Sequence, residues 1–362
     1  MIDPLDAETG ETLIWKLALW GTFQDKRAIE SIEMLFPLML EGFRKQRNWP
    51  QISEGVQLRN KKESTEILRE IGELKGQNIF QREGMRKSWF RFSVPSYALD
   101  TIPDERCYIR VQGGDIGLQL TQAPHIVLSP GWGSYVTFSN VDFLIPPRVI
   151  GIAGPEEDTN ILRALALYLN SSLVSYYLFF HVPEWGVFRN ARYITLSELK
   201  KVPVPDFNLG QVEELALLHQ RLVDDEQRII LAAITSVRNL QMDLPSPHQA
   251  EPFGGIAGLL SKMPKEQKAQ IEKEVDTFHI NAQSMIDEKI FDLFNIPEDI
   301  RTLVTDFVQV RILLDRPAAF EQVIQEPGEQ ELLGYARELR DELDGFVGDG
   351  THHGISITYS PD

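Results

Sequence analysis

The chain has 362 residues, 43% hydrophobic and 25% charged, with a formal net charge of −17. That length suffices for two or three cores at roughly 100–200 residues each, and the composition is that of a globular protein. No apolar run reaches the ~18 residues a membrane-spanning helix needs. The acidic start MIDPLDAETGE lacks the apolar stretch of a signal peptide. The single cysteine, Cys107, excludes an internal disulfide or a multi-cysteine metal site, and a cytoplasmic setting is expected. The acidity is uneven: residues 41–201 carry 20 Lys/Arg against 17 Asp/Glu, whereas residues 202–362 carry 13 against 29. Such asymmetry leaves room for a nucleic-acid-binding half that the total charge hides.

Residues 11–43 place apolar side chains at three- and four-residue steps and predict helices, with Pro37 ending or kinking the second. Residues 44–92 are basic, with 12 Lys/Arg against 6 acids, and predict loop plus a short helix at 64–74. From 90 to 153 the short runs FRFSV, CYIRV, IGLQL, HIVLS, YVTFS, VDFLI and RVIGIA alternate with Pro- and Gly-containing turns. They predict a largely antiparallel β-region, with the glycines at 113–117 in a turn. A single helix is expected over 161–180, capped by Asp158-Thr159. Further helices are expected at 209–241, 265–293, 298–315 and 329–345, with a Pro/Gly-rich linker at 243–258. On the first of these, Leu215, Leu218, Leu222, Ile229, Ile230, Ala233, Ile234 and Val237 share one face. The ending HHGISITYSPD alternates like a strand and stops abruptly, as a truncated or split gene product would.

Two segments carry a family likeness. The first runs from Leu169-Asn170-Ser171-Ser172-Leu173, through a segment with Gly186, Arg189 and Arg192, to Lys200-Lys201 and Val202-Pro203-Val204-Pro205. This order resembles the closing motif of target-recognition domains in N-6 adenine DNA methyltransferases of restriction–modification systems, the TaqI-like specificity domains and their type I relatives. The second contains Ile286, Asp287, Ile290, Phe291, Leu293, Phe294, Asn295, Ile296, Pro297 and Glu298. It is similar to a later helix junction of the same families, with Phe291 and Phe294 where tyrosines are usual. The resemblance covers roughly residues 80–315.

The resemblance implies an α+β protein with a central β-rich target-recognition domain, flanked by an N-terminal helical piece and a C-terminal helical region. The expected divisions are 1–78, 79–208, 209–345 and a tail at 346–362. The chemistry of methyl transfer is missing. No Gly-rich loop stands at a strand–helix junction to hold S-adenosylmethionine. Neither Ser93-Val94-Pro95-Ser96-Tyr97 nor Ile145-Pro146-Pro147-Arg148 has the polar-Pro-Pro-aromatic order that grips an adenine amino group. Nucleophile-elbow, phosphate-loop and His-Glu-x-x-His patterns are absent from the sequence as well. The expectation is a specificity module for double-stranded DNA, with S-adenosylmethionine and catalysis in a separate methyltransferase chain or in a lost parent domain.

The candidate DNA contacts are Arg86, Lys87, Trp89 and Arg91 in RKSWFRF, Trp132 and Tyr135 in PGWGSYVTF, Arg189, Asn190 and Arg192 in FRNARY, and Lys200-Lys201. Arg and Lys hold phosphates, Arg and Asn can fork onto base edges, and aromatics can stack. Asn170, Ser171 and Ser172 are read as helix-packing residues. An alternative is a scaffold whose acidic helices at 209–345 dock a partner without binding DNA.

Overall fold

The computed structural model describes residues 11–60, 68–72, 77–80, 90–94, 99–102, 108–110, 114–128, 136–183, 185, 194–240, 265–311 and 337. Helices Thr12–Trp20 (α1) and Phe23–Leu35 (α2) come first. Thr22 and Asp25 start α2 with a capping box, each side chain accepting the other's backbone N–H. The helix stops two residues before Pro37, which disfavours helical geometry in its predecessor. Strand Leu38–Met39 (β1), helix Leu40–Gln46 (α3) and strand Ser53–Glu54 (β2) follow. Then come short strands Leu68–Glu70 (β3), Asn78–Ile79 (β4), Asp100–Thr101 (β5) and Tyr108–Arg110 (β6), and helix Gly114–Leu118 (α4).

Strands His125–Leu128 (β7), Val136–Ser139 (β8) and Ile150–Ala153 (β9) form the main sheet with β2, in the order β2-β9-β7-β8, all antiparallel. Every residue of β7, β8 and β9 is buried, so this sheet is covered on both faces. Ile126, Leu128, Val136, Phe138, Ile150 and Ile152 enter the large helical core, while Val127 and Ala153 enter a smaller core with Phe80, Leu120 and Phe143. Period-two alternation divides these residues between two cores.

Helix Thr159–Leu169 (α5) packs behind the sheet against β8 and β7, and Ser172–His181 (α6) packs on the helices around it, followed by Leu196–Leu199 (α7) and strand Pro203–Val204 (β10), which pairs with β1. Three more helices, Leu209–Leu240 (α8), Lys265–Leu293 (α9) and Glu298–Asp306 (α10), lead to a π-turn at Phe307–Arg311. The architecture is α+β. One core cluster draws on Ile29 and Phe43, on Phe138 and Leu165, and on Leu222 and Ile286, joining the three segments that the sequence separates. The chain divides at Ile312 and Leu313 into two units, and of the second only Arg337 is described. No helix among the described residues is long and apolar enough to cross a membrane.

Several local expectations are corrected. IGLQL begins within α4 rather than a strand, and Gly114 and Gly117 belong to that helix instead of a turn. Gly117 lies so close to β2 that an added Cβ would stand 2.6 Å from Val56 Cγ2, and the missing side chain lets the helix seat. Within 64–74, residues Leu68–Glu70 form a strand, because their backbone pairs with Tyr108–Arg110 and non-local pairing overrides local preference. FRFSV makes only a bridge at Ser93, since the N–H groups of Arg91 and Phe92 are taken by the Glu226 carboxylate at 2.7 and 3.3 Å. The expected helix at 161–180 is broken at Asn170-Ser171. Asn170 turns its amide onto the backbone of Val136, donating to its carbonyl at 2.6 Å and accepting from its N–H at 3.0 Å. Ser171 then caps α6. Asp158 caps nothing with its side chain and accepts instead from Trp49 Nε1 at 2.7 Å.

Candidate nucleic-acid interface

Of the sequence-predicted contacts, Arg86, Lys87, Trp89, Trp132, Tyr135, Arg189, Asn190 and Arg192 lie outside the described residues. The linker at 243–258, the expected helix at 329–345 and the terminal tail lie outside them too, apart from Arg337. Arg91, Lys200 and Lys201 are described, and they differ in situation.

Arg91 is 6% exposed and faces inward. Its Nη1 donates to the His279 carbonyl at 3.3 Å and its Nη2 to Gln283 Oε1. It belongs to a buried hydrogen-bonded network and is turned away from any DNA-facing surface, contrary to the expectation. Glu226 of α8 stands at one end, accepting from the N–H groups of Arg91 and Phe92, with His279 Nε2 at 2.7 Å from its Oε1. Gln283 donates to Asp287 Oδ1 at 3.0 Å and to the Asn170 carbonyl at 3.1 Å. Asp287 in turn accepts from the Ser172 N–H at 2.7 Å and hydroxyl at 2.6 Å. Through Asn170 the network reaches Val136 of the sheet.

His219 and Glu226 were not among the residues singled out from sequence, although both stand on an apolar stripe. Leu215, His219, Leu222, Glu226 and Ile230 recur at steps of four, three, four and four, and all are buried. Two polar residues inside that spacing were the available signal.

Burial, and then the charge of Arg163, push the His219 pKa down to about 3. His219 Nε2 donates to the Phe92 carbonyl at 3.1 Å, which leaves Nδ1 without a hydrogen bond. His125 of β7 is likewise held neutral by burial, at about 4. The unfolded chain takes up a proton near pH 6.5 that folded His219 refuses, so this histidine lowers stability as pH falls below 6.5. By pH 5 its share of the loss is about 2 kcal/mol. Glu226 and Asp287, whose pKa values burial raises, act in the opposite direction, gaining stability as pH falls. Replacement of His219 by Gln is therefore expected to flatten the pH dependence of urea unfolding between 7 and 5 relative to the parent. An unchanged profile would contradict a neutral buried His219.

Lys200 and Lys201 follow α7, which Thr195 and Glu198 start with a second capping box. Lys201 is exposed and Lys200 half-buried. Both stand beside α3, because the Leu40 N–H donates to the Val202 carbonyl at 2.8 Å and the Glu41 N–H to the Lys200 carbonyl at 3.1 Å. Arg44 and Lys45 of the basic segment are thereby brought beside the Lys-Lys pair. No family model matches the chain, and the search of curated proteins found no match either.

Proposed function

We propose that this chain is the DNA sequence-recognition module of an adenine-specific methyltransferase or related restriction–modification protein. A separate catalytic chain supplies S-adenosylmethionine and the methyl transfer. One observation carries the reading: the segments that resemble the family are bonded to one another. Asp287, from the second motif, accepts both hydrogen bonds of Ser172, from the first. Tyr168, which leads into the Asn-Ser-Ser break, donates its hydroxyl to the Pro203 carbonyl of Val-Pro-Val-Pro at 2.6 Å. Short motifs matched by accident have no reason to interlock in one core. The same break ties the helices to β8, so the motifs act as a frame for the β-region, and the base-reading groups belong on its loops. Lys200 and Lys201 remain at the surface, where phosphates can reach them.

The test is retention of a random-sequence duplex library by the full chain at low and physiological salt, with sequencing of what is kept. Enrichment of a short motif, with affinity falling steeply as salt rises, is expected. Retention at neither salt would overturn the reading and favour the acidic helices as a docking scaffold.

A further inference from the structure

The two-residue pairing of β1 with β10 sets Leu38 against Val204 and Met39 against Pro203. It thereby places α3 beside Lys200-Lys201, although more than 150 residues separate them in sequence. Backbone pairing brings Glu41, Arg44, Lys45, Lys200 and Lys201 to this corner. The acids of the two helices are already matched: Glu198 accepts from the Thr195 N–H in the capping box of α7, and Glu41 is paired within α3. Arg44 donates from Nε to Glu41 Oε2 at 3.1 Å and from Nη2 to Oε1. That bond, helped by the charges of Arg44, Lys200 and Lys45, holds the Glu41 pKa below the ordinary carboxylate range. Arg44 is fixed further by donating to the Trp49 carbonyl at 3.2 Å. Three lysines border this pair, and Lys45, whose side chain is 65% exposed, shares Glu41 with Arg44, its Nζ 3.6 Å from Oε1.

Resting on the DNA-recognition reading above, we propose that this corner is a backbone anchor. Lys45, Lys200 and Lys201 bind DNA phosphates and read no bases. Lysine suits phosphate binding because its ammonium is a compact point charge on a flexible stem. Base reading favours the planar fork of arginine, and the corner's arginine is held by Glu41 and Trp49.

The experiment measures fluorescence anisotropy of the full chain on a library-selected duplex and on an unrelated duplex of equal length, across a salt series. The Lys45→Ala/Lys200→Ala/Lys201→Ala variant is expected to bind both duplexes more weakly by the same factor. Its log–log salt slope should shrink by about 2.7, at ~0.9 per phosphate contact. The selected motif should not change. The corresponding triple Lys→Arg variant should keep the slope, and coincident thermal melts of all three proteins show that the fold is intact. Unchanged affinity and slope in the Ala variant would overturn the anchor while leaving the recognition reading standing. Weakening confined to the selected duplex would overturn it too, by making these lysines base readers. If the parent chain binds neither duplex at low salt, the recognition reading falls, and the anchor with it.

Discussion

Replacing Glu226 with Ala is expected to destabilise the fold by about 4 kcal/mol, near the middle of the range for removing one partner from a buried charged cluster. The residue is 1% exposed, and its carboxylate receives the N–H groups of Arg91 and Phe92 and faces His279 Nε2. Truncation strands the Arg91 and Phe92 N–H groups in a buried interface, and each buried donor left unpaired costs about 1–3 kcal/mol. Glu226→Gln keeps the shape and one acceptor but turns an amide donor on a neighbour that also donates, so about half the loss is expected. Urea unfolding of the two variants, read at constant slope, measures both. A loss under about 1 kcal/mol for the Ala variant would mean that the carboxylate does not bind the 90–92 segment to α8.

Asp287→Ala is expected to cost about 3 kcal/mol. The carboxylate holds Ser172 by its N–H and its hydroxyl and accepts from Gln283, and burial raises its pKa. Its removal unpairs the first turn of α6 at the point where the helix breaks. Glu226 and Asp287 are linked through Arg91 and Gln283. The double variant should therefore lose less than the two single losses added, by at least about 0.5 kcal/mol. Strict additivity would mean two independent sites instead of one network. Denaturant titration of both singles and the double decides this, and the same proteins in the duplex assay test whether the frame matters for recognition.

Helices that depend on local pattern were legible from sequence. Leu209–Leu240 and Lys265–Leu293 fall within a residue or so of expectation, because long apolar stripes and end signals are written in neighbouring residues. Strands β7, β8 and β9 were found for the same reason, their β-branched and apolar runs lying between turns. Asn170, Ser171 and Ser172 were legible as packing residues, and all three are buried.

Long-range partners decided the rest. Asn170 breaks a helix that its neighbours favour because Val136 offers a backbone donor and acceptor at the right distance, and Asp287 receives the next residue but one. Arg91 looked like a basic residue beside aromatics, but an N–H pair bound to Glu226, which lies 135 positions away, turns its segment inward. The corner of Lys45, Lys200 and Lys201 depends on a two-residue strand pair that neither strand predicts alone. Sequence by itself determined which stretches bury apolar surface and where charge accumulates, since both follow from side chains a few positions apart. Only the tertiary structure decided which polar groups are paired inside and which remain for a ligand, because a hydrogen-bond partner is chosen by distance in space.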